Sequence, residues 1–148
     1  MPPHADVLQW DKDEIMITPE QLAASGSEHG HQAALFCWAA LNVNRFSQLR
    51  LMFAIPNGGL RDKVTASRMR AEGVKSGVPD IFLPVSMGCY HGLFIEMKIY
   101  NKNGKKTYLS DDQQQMRNDL IRQGYAFAVC YTWQEAATAI EMYIDGKF

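Results

Sequence analysis

The stretch Pro79–Lys98 constrains this chain most tightly, because two short apolar runs there carry charges at their ends. Ile81-Phe82-Leu83 and Leu93-Phe94-Ile95 are runs of the kind that buried sheet strands show. Val78-Pro79-Asp80 leads into the first run, and the second passes directly into Glu96-Met97-Lys98. Side chains alternate along a strand, so Glu96 and Lys98 share one face while Met97 points to the other. A charge abutting a buried strand is costly unless it is paired or ligates a metal. If the strand after Asp80 lies beside the strand carrying Glu96, two carboxylates and an ammonium converge on a volume the size of a phosphate and a cation. The competing reading is purely structural: Asp80 caps a turn after proline, and Glu96 with Lys98 makes a surface cross-strand pair.

The residue types suit hydrolysis of a phosphodiester. Mg²⁺ takes hard oxygen ligands in octahedral geometry and keeps several waters. Asp80 and Glu96 would supply anionic oxygens, and the backbone carbonyl of Met97 a neutral one. Such an ion polarises a phosphate and lowers the pKa of a bound water. Lys98 would orient that water or neutralise charge building on the phosphate.

The remaining elements predict one α/β unit. Residues 1–24 show little periodicity and are expected to form an irregular arm, leaving 25–148 as the folded domain. Ser27 can cap a helix carrying Ala34, Leu35, Phe36, Trp38, Ala39 and Leu41 to about Asn42. Strands are expected at Leu49–Ile55, Ile81–Pro84, Leu93–Ile99 and Tyr125–Tyr131. Helices are expected at Thr65–Glu72, at Ser110–Gln123 closed by Gly124, and from Thr132 to about Asp145. Trp38 and Phe36 sit in a helix rich in Ala and Leu, which favours core or dimer packing over base stacking. The methionines, Met52 and Met97 among them, read as gap-fillers rather than metal ligands.

Four motifs in order, Pro56-Asn57-Gly58-Gly59, Gly73-Val74-Lys75-Ser76-Gly77-Val78-Pro79-Asp80, Glu96-Met97-Lys98 and Ser110-Asp111-Asp112-Gln113, resemble the VRR-Nuc family. That family belongs to the PD-(D/E)xK superfamily, whose core is similar to restriction endonucleases and archaeal Holliday junction resolvases. The resemblance spans roughly residues 27–131. It implies a restriction-endonuclease-like mixed sheet flanked by helices, and a DNA endonuclease dependent on Mg²⁺, with Mn²⁺ as substitute. Stand-alone members of this size resemble viral and bacterial single-domain forms that act as homodimers on branched DNA, such as four-way junctions. Flap or single-strand cutting, or a non-catalytic DNA-binding module of the same fold, are the alternatives.

Carried over by residue, the resemblance places metal ligation on Asp80, Glu96 and the Met97 carbonyl, and the catalytic lysine on Lys98. Gln113 matches the family's glutamine, and Glu28 is the best match for a glutamate on the first helix. Glu14 and Glu20 fit less well, since neither opens an apolar helical pattern. Each extra residue also has a bland reading. Ser110-x-x-Gln113 is a capping box, and a glutamate near a helix N-terminus is favoured by the macrodipole alone. His29 and His31 lie near Glu28, so a histidine could face the site instead. No histidine pair has zinc spacing backed by cysteines.

A net charge of −1 argues against a uniformly basic DNA binder, but the charge is unevenly spread. Between Arg61 and Lys106 stand nine Lys or Arg against four acidic residues, a local charge of +5. Phosphate contact needs such a local face rather than a basic average. Arg61, Lys63, Arg68, Arg70 and Lys75 are the expected DNA contacts, whereas Lys102–Lys106 reads equally well as a solvated loop. Cys37, Cys89 and Cys130 show no paired spacing, so a reduced, intracellular protein is expected. The polar, acidic N-terminus does not read as a signal peptide.

Overall fold

The computed structural model describes residues 17–56 and 62–148. Residues 1–16 lie outside it, as do Asn57, Gly58 and Gly59 of the first loop motif and the expected DNA contact Arg61. The elements run α1 (Pro19–Leu22), α2 (Glu28–Asn42), a 3₁₀ turn (Ser47–Leu51), β1 (Phe53–Ala54), α3 (Lys63–Ala71), β2 (Ile81–Leu83), β3 (Leu93–Met97), α4 (Asp111–Arg122), β4 (Ala126–Cys130) and α5 (Trp133–Ile144).

The four strands form one mixed sheet in the order β1-β2-β3-β4. β1 and β2 pair antiparallel, as do β2 and β3, whereas β3 and β4 pair parallel across the α4 crossover. Alternation divides the sheet cleanly. Ile81, Leu83, Leu93, Ile95, Met97, Ala126 and Cys130 are buried together with Leu35 and Ala39 of α2 and Ala136, Ile140 and Tyr143 of α5. Burying a Leu or Ile side chain of this kind contributes about 1.5–3 kcal/mol. Phe82 and Phe94, at the alternate positions, stack on the other face with centroids 4.2 Å apart. Phe36 and Trp38 pack against the core, as expected of apolar helix positions, and Trp133 packs there too.

Each long helix starts where a polar cap precedes it. Ser27, Asp62, Ser110 and Thr132 all accept from the backbone N–H three residues on. His31 adds a long-range cap, its Nδ1 accepting from Trp133 N–H at 3.1 Å, which ties α2 to the start of α5. That contact turns His31 toward α5.

Two expectations need correction. The strand expected at Leu49–Ile55 starts late: Leu49–Leu51 lie in a 3₁₀ turn, and the extended chain begins at Met52, with Phe53–Ala54 in the sheet. Leu49 and Met52 are buried while Leu51 and Phe53 are exposed, a spacing of three that suits a 3₁₀ turn. The segment 1–24, expected to be irregular, contains α1 from Pro19 to Leu22. Thr18 and Gln21 close a capping box around it, and Pro19 sits at the favoured first position.

Gly77 couples the loop before β2 to α4. Its φ is +85°, and a Cβ there would meet the Asp112 carbonyl oxygen at 2.5 Å. Gly77→Ala is expected to lower stability by about 1–3 kcal/mol, since strained backbone and a backbone clash coincide. Thermal unfolding checks this: the melting temperature should fall by several degrees, on the order of 2–4 °C per kcal/mol. An unchanged melting temperature would refute the close packing.

Candidate active site

The strand register builds the centre of the site. Ile81 pairs with Ile95 in the antiparallel β2–β3 ladder, so the next position brings Asp80 opposite Glu96. Residues directly opposite in such a ladder point to the same face, with Cβ atoms about 4.5–5.5 Å apart. The ladders continue past the strand ends on both sides. Ile55 N–H donates to the Asp80 carbonyl at 2.7 Å, and Lys98 N–H donates to the Cys130 carbonyl at 2.9 Å. Lys98 therefore stays in phase with Glu96.

Both carboxylates are held by neutral donors. Met97 N–H donates to Asp80 Oδ2 at 2.8 Å, and Gln113 Nε2 donates to Glu96 Oε1 at 2.8 Å. Gln113 Oε1 simultaneously accepts from Ser110 N–H at 2.9 Å. One side chain thus closes the capping box of α4 and holds the Glu96 carboxyl.

Glu96 is 2% exposed and is the buried charged residue among the described residues. Burial first, and then the Asp80 charge, push its carboxyl up to about 8, with Lys98 opposing. Burial likewise raises Asp80, against the pull of the Met97 N–H, of a hydrogen bond from the Glu96 side chain and then of Lys98. Glu28, the first residue of α2, is raised by burial and then by Asp80, and lowered by Lys98 and His29. The structure therefore brings Glu28, Asp80, Glu96 and Lys98 into one electrostatic unit, with His29 at its margin. Among the described residues no three His, Cys, Asp or Glu side chains form a complete cation cage. Asp80 and Glu96 are the tight pair, and Glu28 stands further back. A set of hard oxygens whose burial raises their pKa values suits a hard cation.

The expected DNA contacts are placed separately. Lys63, Arg68 and Arg70 are exposed on α3, which buries no residue, and Lys75 is exposed on the loop leading to Asp80. None of the four makes an ion pair with another described residue. Glu20 is exposed on α1, and Glu14 lies outside the described residues. The sequence did not reveal the hydrogen bond from Gln113 to Glu96. The only signal was the coincidence of a capping glutamine with a helix that follows the Glu-x-Lys strand. The three cysteines are free, with Cys130 buried. No described helix is long and apolar enough to cross a membrane.

A four-stranded mixed sheet that opposes an aspartate to a Glu-x-Lys strand, with helices on its flanks, defines the restriction-endonuclease-like class. The match extends to a particular family: residues 18–133 fit the VRR-NUC domain model, so the chain belongs to that nuclease family. Among solved structures it is similar to one described as a VRR_NUC domain protein, at 24% identity and a TM-score of 0.65. That similarity covers 80% of this chain and 88% of the other, and it bears on the fold. No curated protein matches the chain.

The raised carboxyls set the sign of a pH dependence. Without divalent ions, Glu96 keeps its proton in the fold up to about 8, whereas its ordinary value is 4.5. Its contribution to stability is fully present below 4.5 and is lost as pH rises through about 8; Asp80 and Glu28, also raised, act in the same direction. In EDTA the melting temperature should fall between pH 5 and pH 8. Glu96→Gln, which keeps an acceptor for Gln113, should flatten that fall. Parallel melting curves for the two proteins would count against the assignment.

Proposed function

We propose that the protein is a divalent-metal-dependent endonuclease that hydrolyses phosphodiester bonds in branched DNA, acting on four-way junctions as a homodimer. The observation that carries this reading is the buried Glu96 carboxyl facing Asp80, with Lys98 on the same side of β3. Two carboxylates desolvated against each other are unfavourable by themselves, and a bound dication converts that conflict into attraction. Asp80, Glu96 and the Met97 carbonyl would hold Mg²⁺ or Mn²⁺, with Glu28 reaching it directly or through water. When bound, the ion supplies Lewis-acid polarisation of the scissile phosphate and a lowered pKa for water.

The chain's own residues then have separable tasks. Gln113 fixes the Glu96 carboxylate so that its oxygens stay aimed at the site. Met97 N–H does the same for Asp80. Lys98 donates a hydrogen bond that positions the attacking water and offsets negative charge as the phosphorane-like transition state forms. Lys63, Arg68, Arg70 and Lys75, with Arg61, contact backbone phosphates and set position rather than sequence. One such site cuts one strand, so symmetric cutting of a junction needs two, and a two-fold homodimer supplies them.

Cleavage of a labelled four-way junction, beside linear duplex and single strand, tests the reading. With Mg²⁺ or Mn²⁺ the wild type should make paired symmetric cuts that EDTA abolishes. Asp80→Ala and Lys98→Met should each lower the rate by at least about 10²-fold, the scale of losing one preorganised charged group. Cutting confined to flaps or single strands would keep the centre and overturn the junction assignment. Absence of cutting on every substrate would refute the enzyme. A solution mass equal to one chain at working concentration would refute the dimer.

A further inference from the structure

The segment Lys98–Leu109 holds four lysines and no acidic residue, with Tyr100 and Tyr108 interleaved. It is a built hairpin. Tyr100 and Lys106 form a β-bridge, and Asn101 Oδ1 accepts from the N–H groups of Asn103 and Lys105 at 2.9 and 3.0 Å. Thr107 N–H donates back to the Ile99 carbonyl at 3.2 Å. Tyr131 pins the hairpin to β4, its hydroxyl donating to the Thr107 carbonyl at 2.7 Å. The Tyr131 ring is flanked by Tyr100, 5.3 Å away between centroids, and by the Lys106 ammonium at 4.9 Å.

Between this hairpin, β4 and α4 lies a shallow hollow lined by Tyr108, Leu109, Gln114, Arg117, Val129 and Tyr131. Tyr108 is 84% exposed, so its ring presents π surface to solvent. Gln114 Nε2 donates to the Leu109 carbonyl at 3.0 Å, which holds the amide in place with its Oε1 unpartnered among the described residues. Arg117 reaches only the Asn118 amide oxygen, at 3.4 Å, and no carboxylate among the described residues. Gln114 is also the neighbour of Gln113, the residue that holds Glu96.

We infer that this hollow is a subsite for an unpaired nucleobase of the DNA, stacked on Tyr108 beside the Arg117 guanidinium, with Lys102, Lys105 and Lys106 on the flanking phosphates. The inference rests on the reading of the chain as a DNA nuclease and names what its site region takes beyond duplex. Every base has a π face that an aromatic ring accepts regardless of sequence. The guanidinium donors and the amide oxygen suit the edge of a base that has left its pair. Lysines on the same hairpin supply the charge that phosphates require. A base seated there lies along α4 from the carboxylates, so the hollow takes a base unpaired at the branch point next to the cut.

Equilibrium binding in EDTA tests this without cleavage. The probes are a forked DNA with 2-aminopurine in its single-stranded arm and a blunt duplex of equal length; the proteins are wild type, Tyr108→Ala and Tyr108→Phe. Tyr108→Ala is expected to reduce the fork-to-duplex affinity ratio about 5- to 150-fold, which corresponds to the 1–3 kcal/mol of one stacked base. It should also abolish the stacking-induced quenching that wild type gives, and Tyr108→Phe should restore both. An unchanged ratio with Tyr108→Ala, or no binding of either DNA by wild type, would overturn the subsite. A separate cleavage assay of wild type with Mg²⁺ keeps the two readings apart. Cutting with an unchanged ratio removes the subsite alone, and a changed ratio without cutting removes the nuclease while the subsite stands.

Discussion

The opposition of Asp80 and Glu96 across the β2–β3 ladder is the constraint around which the rest of the molecule is arranged. Placing two carboxylates on neighbouring strands, with one of them almost sealed from water, opposes the burial that surrounds them. The fold contains the conflict by three means. A backbone N–H is given to Asp80, an amide to Glu96, and the Lys98 ammonium lies on the same face. The apolar side chains at the alternate positions of the same strands, Ile81, Leu83, Leu93, Ile95 and Met97, are fully buried and carry the stability that the site lacks. Strain of this kind concentrates where function is.

The neighbouring elements interlock around that pair. The loop carrying Asp80 passes so close to α4 that only glycine fits at position 77, and the residue it meets, Asp112, precedes Gln113. Any displacement of the loop is therefore felt by the side chain that orients Glu96. On the other side, His31 secures α2 to the start of α5, which fixes the helix whose first residue is Glu28. A sheet register, a capping box and a helix-to-helix hydrogen bond thus place two glutamates from different elements and a loop aspartate within reach of one another's charge.

Much of this was legible in the sequence because it depends on short-range rules. Alternation put Glu96 and Lys98 on one face, and the apolar runs beside Asp80 and Glu96 marked both strands. The caps at Ser27, Ser110 and Thr132 marked the helices. Features that depend on distant partners were not legible. Leu49-Arg50-Leu51 has the composition of a strand, and its place in a 3₁₀ turn follows from the packing that buries Leu49 and Met52. Gln113 satisfied a local rule so completely that nothing in the sequence required its amide to reach a strand 17 positions earlier. The segment Lys102–Lys106 read equally well as a solvated loop because lysines and glycine carry no periodicity. Its order comes from Asn101 and from Tyr131, far along the chain.

The same separation of local and distant effects resolves the apparent mismatch between a net charge of −1 and a phosphate-rich partner. The acidic groups that matter are turned inward on one another, where they can be neutralised by protons or by a cation. Lys63, Arg68, Arg70 and Lys75 are solvent-facing and unpaired among the described residues, and the lysines of the hairpin are equally exposed. Charge in the interior is compensated at short range, whereas charge at the surface acts over about 8–10 Å at physiological salt. The exposed cations of α3 and of the hairpin therefore act at longer range than Asp80 and Glu96, which are compensated within the fold. A balanced sequence can in this way carry exposed cations together with an internally compensated acidic centre.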